Sequence, residues 1–497
     1  MKLRQALLAI QLICVSTALP SLAQTNNQNN PTWWSKLQYL VNHPPANNEG
    51  PTTSVVGMNV DVSNECGPQS EAFITLNPAQ SSMLAAGSND IFRLSMRGYF
   101  SSDGGSKWGG IDLPLPQPLI TNGIRFGSDP SLAFDTRGDV FYSYVVVFFN
   151  KPFTGVTGTE LAVARSSDGG QTYPQITLFS FKSGFGDTND KPMMTTDTNA
   201  NSRFRDNIYV AWDIAPKGNS AQGIRLANSS DHGASFAITR VDTNNGAGKD
   251  FGALPFVGPD GEVYVAWNDF GNNLIAFNRS FDGGTTWDKE RTIASKTAVF
   301  VIPIPAESFR GADVYPACDA DRSNGPHRGR LFCSWMDTRA AGNTDIFLSF
   351  SDDQGASWSS PRAVADQLPV LVDRWNHWMS VDPVTGDVNI SFYDTRNDTT
   401  GFRYAFDTYF TRSTDGGATW LSPNVRVSTQ SSNEHDCNGV FPCSAIDYGN
   451  QQGDYEGLVS FGRVSHPVWT DSRRQLFPSS GCSTNLLMEE VFTAVVR

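Results

Sequence analysis

Three arginines recur in the sequence at positions that suit the binding of an anion. Each follows an aspartate and a hydroxyl residue directly after an apolar run, in Asp337-Thr338-Arg339, Asp394-Thr395-Arg396 and Asp471-Ser472-Arg473. A guanidinium group binds a carboxylate through two parallel hydrogen bonds. Arg339, Arg396 and Arg473, with the nearby Tyr393, are therefore candidates for binding an anionic substrate. Because an aspartate accompanies every arginine, Asp–Arg pairs that hold neighbouring units together are the competing interpretation, and we favour it slightly.

Acidic residues gather where apolar strands are expected to begin. Asp129 and Asp190 begin two such strands, and Tyr455 and Glu456 begin a later one. Carboxylates brought close together raise the pKa of at least one of them, which suits a general acid. Asp129 or Asp190 is the candidate acid, and Tyr455 and Glu456 are further catalytic candidates. For any single residue the simpler interpretation, a loop cap or an ion pair with a neighbour such as Lys191, is favoured.

Metal-binding patterns are weak in this sequence. Asp197-x-Asn199-x-Asn201 and Asp319-x-Asp321-x-Ser323 resemble the beginning of a calcium-binding loop, but neither has the glycine and distal glutamate of an EF-hand. Turns closed by the aspartate side chain explain both segments more simply. We expect no cofactor and no catalytic metal, with a structural calcium ion as the weaker alternative.

An octet with a serine, an aspartate, a glycine and a final aromatic residue occurs six times. The six copies begin at Ser101, Ser166, Ser229, Ser280, Ser351 and Ser413. The aspartate can accept backbone N–H groups across a tight turn, and glycine supplies the positive φ that such a turn needs. The octet therefore predicts a hairpin turn in each unit and has no need of a catalytic role.

Each octet ends a unit of about 60 residues in which short strands rich in Val, Tyr, Phe and Trp alternate with turns. Seven units of four strands predict an all-β fold, a β-propeller with seven blades, and a six-bladed ring is the alternative. The last unit lacks an octet. We expect a strand from the N-terminal side, within 55–62, to complete its sheet and close the ring.

The N-terminus and the cysteines indicate export. Lys2 and Arg4 precede a short apolar run and small residues at 21–23, which predicts a signal peptide over 1–23. A flexible leader over 24–50 and the propeller over 51–497 follow. Removal of Cys14 with the signal leaves six cysteines, an even number that suits disulfides in a secreted or periplasmic protein. The expected pairs are Cys318–Cys333, Cys437–Cys443 and Cys66–Cys482.

Composition excludes several classes of protein. The net charge is −13 and the pI about 4.9, so a general basic surface for nucleic acid is not expected. Charged residues make up 18% of the chain, and 44 glycines accompany 12 tryptophans, which suits many short strands and argues against coiled coils and disorder. No segment beyond the signal is long and apolar enough to be a membrane helix.

The six octets resemble the Asp-box, or BNR, repeat of the sialidase-like superfamily. That resemblance covers residues from about 60 to the end and implies a propeller whose Asp-boxes face away from the active site. It also implies a secreted carbohydrate-active enzyme, most simply an exo-glycosidase that hydrolyses an anionic glycan. Sialidases bind the substrate carboxylate with three arginines, use a Tyr–Glu nucleophile pair and protonate with an aspartate. By this resemblance Tyr455 is the nucleophile candidate.

Two other functions remain open at this point. A propeller that binds a glycan or a surface without catalysis would carry the same octets, since the repeat occurs in enzymes and in binding proteins alike. A polysaccharide lyase would instead need a base beside a cation that neutralises a uronate carboxylate. His377, with Tyr393 and Arg396 in the same unit, is the candidate for that role, and a packing histidine is its simpler interpretation.

Overall fold

The computed structural model describes residues 59–63, 65, 68–91, 93–151, 155–184, 186–216, 223–243, 249–308, 310–435, 452–473 and 489–497. The predicted signal peptide (1–23) and leader (24–50) lie outside the described residues. Cys14, Cys66, Cys437, Cys443 and Cys482 also lie outside them, so two of the three expected disulfides stay predictions. The described part of the chain contains no helix, and hence none long and apolar enough to cross a membrane.

Thirty β-strands make up the described structure. In chain order they are β1 (Val60–Asp61), β2 (Gln69–Asn77), β3 (Gln80–Asp90), β4 (Arg97–Ser101), β5 (Gly109–Asp112), β6 (Ile124–Phe134), β7 (Val140–Phe149), β8 (Val156–Ser166), β9 (Gln175–Ser183), β10 (Asp187–Thr196), β11 (Ile208–Pro216), β12 (Gly223–Ser229), β13 (Ala237–Arg240), β14 (Asp250–Val257), β15 (Val263–Asp269), β16 (Leu274–Ser280), β17 (Arg291–Ser295), β18 (Val301–Ile302), β19 (Ala312–Asp313), β20 (Ala317–Ala320), β21 (Leu331–Thr338), β22 (Thr344–Ser351), β23 (Arg362–Ala363), β24 (Arg374–Val381), β25 (Val388–Asp394), β26 (Asp407–Ser413), β27 (Val425–Arg426), β28 (Gly457–Phe461), β29 (Val464–Asp471) and β30 (Glu490–Thr493).

The strands form seven antiparallel sheets of four, arranged as the blades of a propeller. Blades 1 to 4 are β2–β5, β6–β9, β10–β13 and β14–β17, and blades 5 and 6 are β20–β23 and β24–β27. Strands β18 and β19 form a separate hairpin between blades 4 and 5. The prediction of seven blades is confirmed, and the six-bladed alternative is wrong.

Blade 7 is assembled from both ends of the described chain. Its order is β28, β29, β30 and then β1, with Val60 paired to Thr493 and Asp61 to Phe492. The expected closure by an N-terminal strand is therefore confirmed. Because the outermost strand comes from before blade 1, hydrogen bonds between distant parts of the chain hold the ring shut.

All six octets form the same turn. In the copy that begins at Ser280, the serine hydroxyl donates to Asp282 Oδ1 (2.7 Å) and accepts the N–H of Gly284 (2.9 Å), while Asp282 Oδ1 also accepts the N–H of Thr286 (2.8 Å). The equivalent three bonds recur in the other five copies. The octet is thus a turn built by its own side chains.

The octets and the starts of the inner strands lie at opposite ends of the blades. In each antiparallel blade the octet follows the third strand, and the first and third strands run in the same direction. The octets therefore share one face of the propeller with the ends of the inner strands. The starts of the inner strands lie on the other face, where the sequence places its acidic residues.

A disulfide joins β20 to β21 in blade 5. Cys318 and Cys333 are direct cross-strand partners with a Cα–Cα distance of 4.1 Å, and their sulfur atoms are bonded. This confirms one of the three expected pairs. Because the bridge lies within one blade, it constrains that sheet and does not contribute to closure of the ring.

Candidate functional site

The inner strands of five blades carry the same irregularity close to their starts. In β10, Lys191 and Pro192 together oppose one residue, Trp212, between the regular pairs Asp190–Asp213 and Met193–Ala211. Corresponding bulges occur in β2, β6, β14 and β24. A bulge adds one residue to a strand and redirects its side chain, and such features recur beside active sites.

The first residue of each bulge defines a set that we call the axial ring. In blades 5 and 7, the equivalent residues lie two positions before the first pair of the inner strand, as Lys191 lies two positions before the Met193–Ala211 pair. The seven members, from blade 1 to blade 7, are Glu71, Asp129, Lys191, Gly252, Tyr315, Asn376 and Tyr455. Five have a left-handed backbone, with φ between 43° and 70°. Outside glycine, this conformation costs about 1–3 kcal/mol.

Members of the axial ring meet across the propeller axis. The ammonium nitrogen of Lys191 lies 3.9 Å from the ring centre of Tyr315 and 3.5 Å from that of Tyr455. These residues belong to blades 3, 5 and 7, none of which are neighbours in the ring. Side chains of such blades can touch only at the centre. Asp129, Asp190 and Tyr455, three of the predicted site residues, lie within this cluster.

Two carboxyl groups of the axial ring form a pair. Asn89 lies between the two residues, since its side-chain amide donates to Glu71 Oε2 (2.8 Å) and its carbonyl oxygen accepts the main-chain N–H of Asp129 (3.0 Å). The two carboxyl groups also interact with each other. Burial, followed by the charge of Asp129, raises the pKa of Glu71 to about 8. At neutral pH Glu71 is therefore a proton donor beside Asp129.

Lys191 and Arg310 supply the positive charge at the axis. Arg310 comes from the hairpin of β18 and β19, and its guanidinium contacts Asp313 (3.1 Å) and the Asp454 carboxylate. Asp454 also accepts the hydroxyl of Tyr315 (3.3 Å). The Arg310 guanidinium is thus already paired with carboxylates, whereas the ammonium of Lys191 has no hydrogen-bond partner among the described residues.

Tyr455 and Asp190 contact the same cluster. The hydroxyl of Tyr455 donates to the carbonyl of Pro130 (3.0 Å), and burial, followed by the charge of Glu71, raises its pKa well above the usual value. Asp190 Oδ1 accepts the N–H of Lys191 at 3.1 Å. As a nucleophile, Tyr455 would therefore need a base to take its proton, and Glu71 and Asp129 are the carboxyl groups that act on it most strongly.

Glu456 and Tyr393 lie together, but away from solvent. The hydroxyl of Tyr393 donates to the Glu456 carboxylate and accepts the N–H of Thr470 (3.1 Å). Tyr393 is 1% exposed and Glu456 4% exposed. Burial raises the pKa of both groups well above the usual values. The two residues form a pair between blades 6 and 7, and their polar atoms bond each other and the Thr470 main chain.

His377 is the second residue of the bulge in blade 6. It is 5% exposed and interacts with the backbone of Ser334 in blade 5. Burial lowers its pKa to about 4, so the imidazole is neutral at pH 7. A neutral imidazole can act as a base, but this one is packed between two blades.

The three recurring arginines are bound by aspartates. Arg339 contacts Asp345, Arg396 contacts Asp394 (2.6 Å), and Arg473 contacts Asp471 (2.6 Å). The guanidinium groups also lie over aromatic rings, those of Phe347, Tyr409 and Phe492. Each pair lies within a single blade, and Arg339 uses Asp345 in place of the Asp337 of its own motif, so the pairs by themselves do not join neighbouring blades.

A buried arginine links two of these pairs. Arg374, at the start of β24, bonds Asp345 at 2.9 Å and Asp394 at 2.7 Å. Asp345 belongs to blade 5 and Asp394 to blade 6. The aspartates that hold Arg339 and Arg396 therefore also hold the two blades together, which gives this acid–base series a structural function.

The two segments that resemble calcium loops form side-chain turns. Asp197 Oδ1 accepts the N–H of Asn199 (3.0 Å), and Asp321 Oδ1 accepts the N–H of Ser323 (2.8 Å). Within the described residues, no group of three or more His, Cys, Asp or Glu side chains is arranged to hold a metal ion.

Comparison with known proteins finds likeness in fold only. No protein-family model matches the sequence, and no curated protein is similar to it. The intramolecular trans-sialidase from Ruminococcus gnavus is 14% identical, with a TM-score of 0.45 over 64% of this chain and 89% of that one. The leech intramolecular trans-sialidase is 13% identical, with a TM-score of 0.44 over 66% and 65%. A protein of unknown function from Dyadobacter fermentans is 15% identical, with a TM-score of 0.42 over 69% and 94%.

The seven-bladed fold is consistent with the sialidase-like superfamily that the octets resemble. No residue role follows from structural similarity at this level. The site must therefore be interpreted from its own geometry.

Four residues of the axial cluster were not among the predicted site residues, namely Glu71, Lys191, Tyr315 and Arg310. Lys191 was named only as an ion-pair neighbour, and Arg310 lies in a hairpin with no counterpart in the other described units. One signal was present in the sequence. Asp129, Lys191 and Tyr315 each precede a proline at the equivalent place in their units. A residue before proline is restricted in conformation, so this recurrence marks an unusual backbone.

Proposed function

We propose that the chain is a secreted glycoside hydrolase whose catalytic centre is the axial ring. The observation that carries the proposal is the carboxyl pair of Glu71 and Asp129, held by Asn89 on the face opposite the octets. Glycosidases need a proton donor and a base in one site, with environments that separate their pKa values. Export is supported by the Cys318–Cys333 disulfide, since disulfides persist in oxidising compartments.

In this proposal each group has its own role. Glu71, protonated at neutral pH, gives its proton to the oxygen of the leaving group as the glycosidic bond breaks. Tyr455 supplies the oxygen that attacks the anomeric carbon, and Asp129 accepts the phenolic proton. In the second step Glu71, now ionised, takes a proton from the water that attacks the anomeric carbon. Asp129 returns its proton to the Tyr455 oxygen as the glycosyl–tyrosine bond breaks, which restores the starting state. Tyr455 lies in the field of both carboxyl groups, which supports this division.

The charge at the axis favours an uncharged sugar. The prediction of an anionic glycan depended on three arginines, and aspartates bind all three. Lys191 and Arg310 are the cations of the cluster, and they face Asp129, Asp190, Asp313 and Asp454 as well as Glu71. A carboxylate on the substrate would add to this excess of negative charge. We therefore propose a neutral glycan as the substrate.

A propeller that binds a glycan without catalysis is the second candidate. The observation in its favour is the burial of the ring, since Glu71, Asp129, Lys191 and Tyr455 are each at most 2% exposed. A glycan would then bind at the rim of this face and would not reach the carboxyl pair.

One set of assays separates the candidates. Nitrophenyl glycosides of neutral and acidic sugars are tested for release of nitrophenol, and uronate polymers for the ultraviolet absorbance of an unsaturated product. We expect hydrolysis of a neutral glycoside. Glu71→Gln and Asp129→Asn should each reduce kcat/KM about 100- to 10,000-fold, which is the usual contribution of general acid–base catalysis.

The matched control is Glu262→Gln. Glu262 is a buried carboxylate on the octet face, where it bonds Gln354 (3.0 Å), and its substitution should leave kcat/KM within a few-fold of wild type. Hydrolysis that survives both axial substitutions would exclude the ring as the catalytic centre. Glycan binding without turnover would establish the second candidate, and an unsaturated product would establish a lyase. Preference for an acidic glycoside would support the anionic substrate expected from the sequence over a neutral one.

A further inference from the structure

Lys191 has an unusual environment for a lysine. It is 2% exposed, and its ammonium lies over the rings of Tyr315 and Tyr455 at 3.9 and 3.5 Å. Such cation–π contacts stabilise a buried cation. No described oxygen accepts a hydrogen bond from the ammonium. Lysine is seldom buried without a direct partner, because desolvation of its charge is costly.

The backbone at Lys191 is strained as well. Its φ is 45°, and Pro192 follows it. A non-glycine residue in the left-handed region is unfavourable, and the proline restricts it further. Strain of this kind persists where the surrounding structure holds it, often at functional sites. Its main-chain N–H meanwhile donates to Asp129 Oδ2 (3.2 Å).

The charges around Lys191 explain what it balances. The carboxyl groups that act on it most strongly are those of Glu71 and Asp129, ahead of the other acids. In turn, Arg310 and, after it, Lys191 are the cations that act on Glu71. Burial lowers the pKa of Lys191 itself to about 8, against the carboxyl groups around it, so the ammonium is charged at neutral pH. The titratable groups with the strongest interactions with Glu71 or Lys191 are Asp129, Asp190, Asp213, Arg310, Asp313, Tyr455 and Glu456, and Tyr315 lies beneath the ammonium.

We infer that Lys191 is the positioning residue of the axial carboxyl pair, and that its buried ammonium keeps one proton and one negative charge shared between Glu71 and Asp129. The inference rests on the proposed function, because it assigns the group that sets the charge of the proposed acid and base. Lys191 itself touches neither the leaving group nor the attacking oxygen in this scheme.

The sign of the effect follows from the charges. A cation beside a carboxyl group favours the ionised form and lowers its pKa. Burial and Asp129 act in the opposite direction on Glu71 and leave its pKa at about 8. If the cation is removed, the pKa of Glu71 rises further, and the carboxyl pair keeps its shared proton to a higher pH. If arginine replaces Lys191, its guanidinium keeps the positive charge, and the pKa of Glu71 stays close to that of wild type.

The test follows the protonated Glu71 carboxyl by infrared spectroscopy between about pH 5 and pH 11. The C=O band that Glu71→Gln removes belongs to Glu71, which separates it from other buried carboxyl groups. In wild type we expect this band to fade with a midpoint near pH 8. In Lys191→Met the midpoint should rise by about 1–3 pH units, and in Lys191→Arg it should return towards wild type. Lys191→Gln replaces the methionine variant if that does not fold.

Each outcome decides the inference. An unchanged or lowered midpoint in Lys191→Met or Lys191→Gln would overturn it, and so would the absence of any Glu71 band in wild type. The infrared result needs no substrate, so it stands even if no glycoside is hydrolysed and the proposed function fails. Where hydrolysis is found, the alkaline limb of its pH profile should move with the infrared midpoint.

Discussion

The octet turns and the axial ring are both built from equivalent positions of successive blades, yet they treat those positions differently. The six octets keep the same serine and aspartate and repeat the same three hydrogen bonds. The seven ring positions hold six residue types, among them Glu71, Lys191 and Tyr455. Repetition of one residue type marks a part that every blade needs. Variation at a shared, strained position marks a place where the blades perform different tasks.

The recurring arginines resemble the octets rather than the axial ring. Arg339, Arg396 and Arg473 repeat with their aspartates, and each is paired and stacked on an aromatic ring. Their recurrence suggested a binding site in the sequence. By the standard of the octets, the same recurrence indicates that they stabilise the blades.

The largest expected effect distinguishes a ring glycine from an octet glycine. Gly252 and Gly104 have similar φ values, 70° and 76°, but a Cβ on Gly252 would lie 2.0 Å from the Tyr315 ring, whereas a Cβ on Gly104 would meet nothing within 4 Å. Alanine at Gly104 should cost about 1 kcal/mol, from the backbone alone. Alanine at Gly252 should cost about 3 kcal/mol because overpacking is added. Urea unfolding measures both free energies. Equal losses would show that the Tyr315 side chain moves aside at little cost.

A smaller effect separates stability from activity. Ser280→Ala removes the acceptor of the Gly284 N–H and a partner of Asp282, so we expect a loss of about 1–2 kcal/mol and unchanged hydrolysis. Tyr455→Phe removes one bond to the Pro130 carbonyl, at a similar cost, but it should abolish hydrolysis if Tyr455 is the nucleophile. Thermal unfolding and kcat/KM are measured on both variants. Tyr455→Phe with wild-type activity would leave Tyr455 as a packing residue.

The smallest effect is a difference in how the two regions respond to pH. Bonds from Thr286 and Ser280 hold the pKa of Asp282 at about 2, below its usual 3.8, against a partial opposing effect of burial. Its contribution to stability is therefore present above about pH 4 and lost as the pH falls through about 2. Glu71, raised from 4.5 to about 8, contributes below about pH 4.5 and loses that contribution as the pH rises through about 8.

The two substitutions should therefore flatten opposite limbs of the stability profile. Asp282→Asn should reduce the loss of stability at acid pH, and Glu71→Gln should reduce it at alkaline pH. Urea midpoints measured between about pH 2 and pH 9 give both slopes. An alkaline slope that Glu71→Gln leaves intact would mean that another axial group binds the proton.

Much of the fold follows from the sequence because its determinants are local. The octets form their turns from their own side chains, and strand patterns between them suffice to predict seven blades, the closing strand and the Cys318–Cys333 pair. The same reasoning placed Asp129, Asp190 and Tyr455 at strand starts, which lie on the face opposite the octets.

The site was harder to predict because it depends on where side chains point after a bulge. Alternation along a strand assigns each residue to a face, but the extra residue in β10 redirects Lys191 to the axis. Glu456 and His377, one position later in their own bulges, are packed between blades. Arg310 reaches the cluster from a hairpin that no repeat predicts. Only the three-dimensional ring brings these residues together.

The shared composition of blade 7 has a consequence for how the protein folds. Val60 and Thr493 pair although more than four hundred residues separate them, so this one sheet has a very high contact order. The free-energy cost of loop closure grows only with the logarithm of loop length, so each doubling adds about 0.6 kcal/mol. The long separation therefore slows the formation of this sheet more than it reduces the stability of the protein. Six blades can form from local contacts while the chain is still incomplete. The seventh needs both β1 and β30, so we expect it to form last and to complete the axial ring.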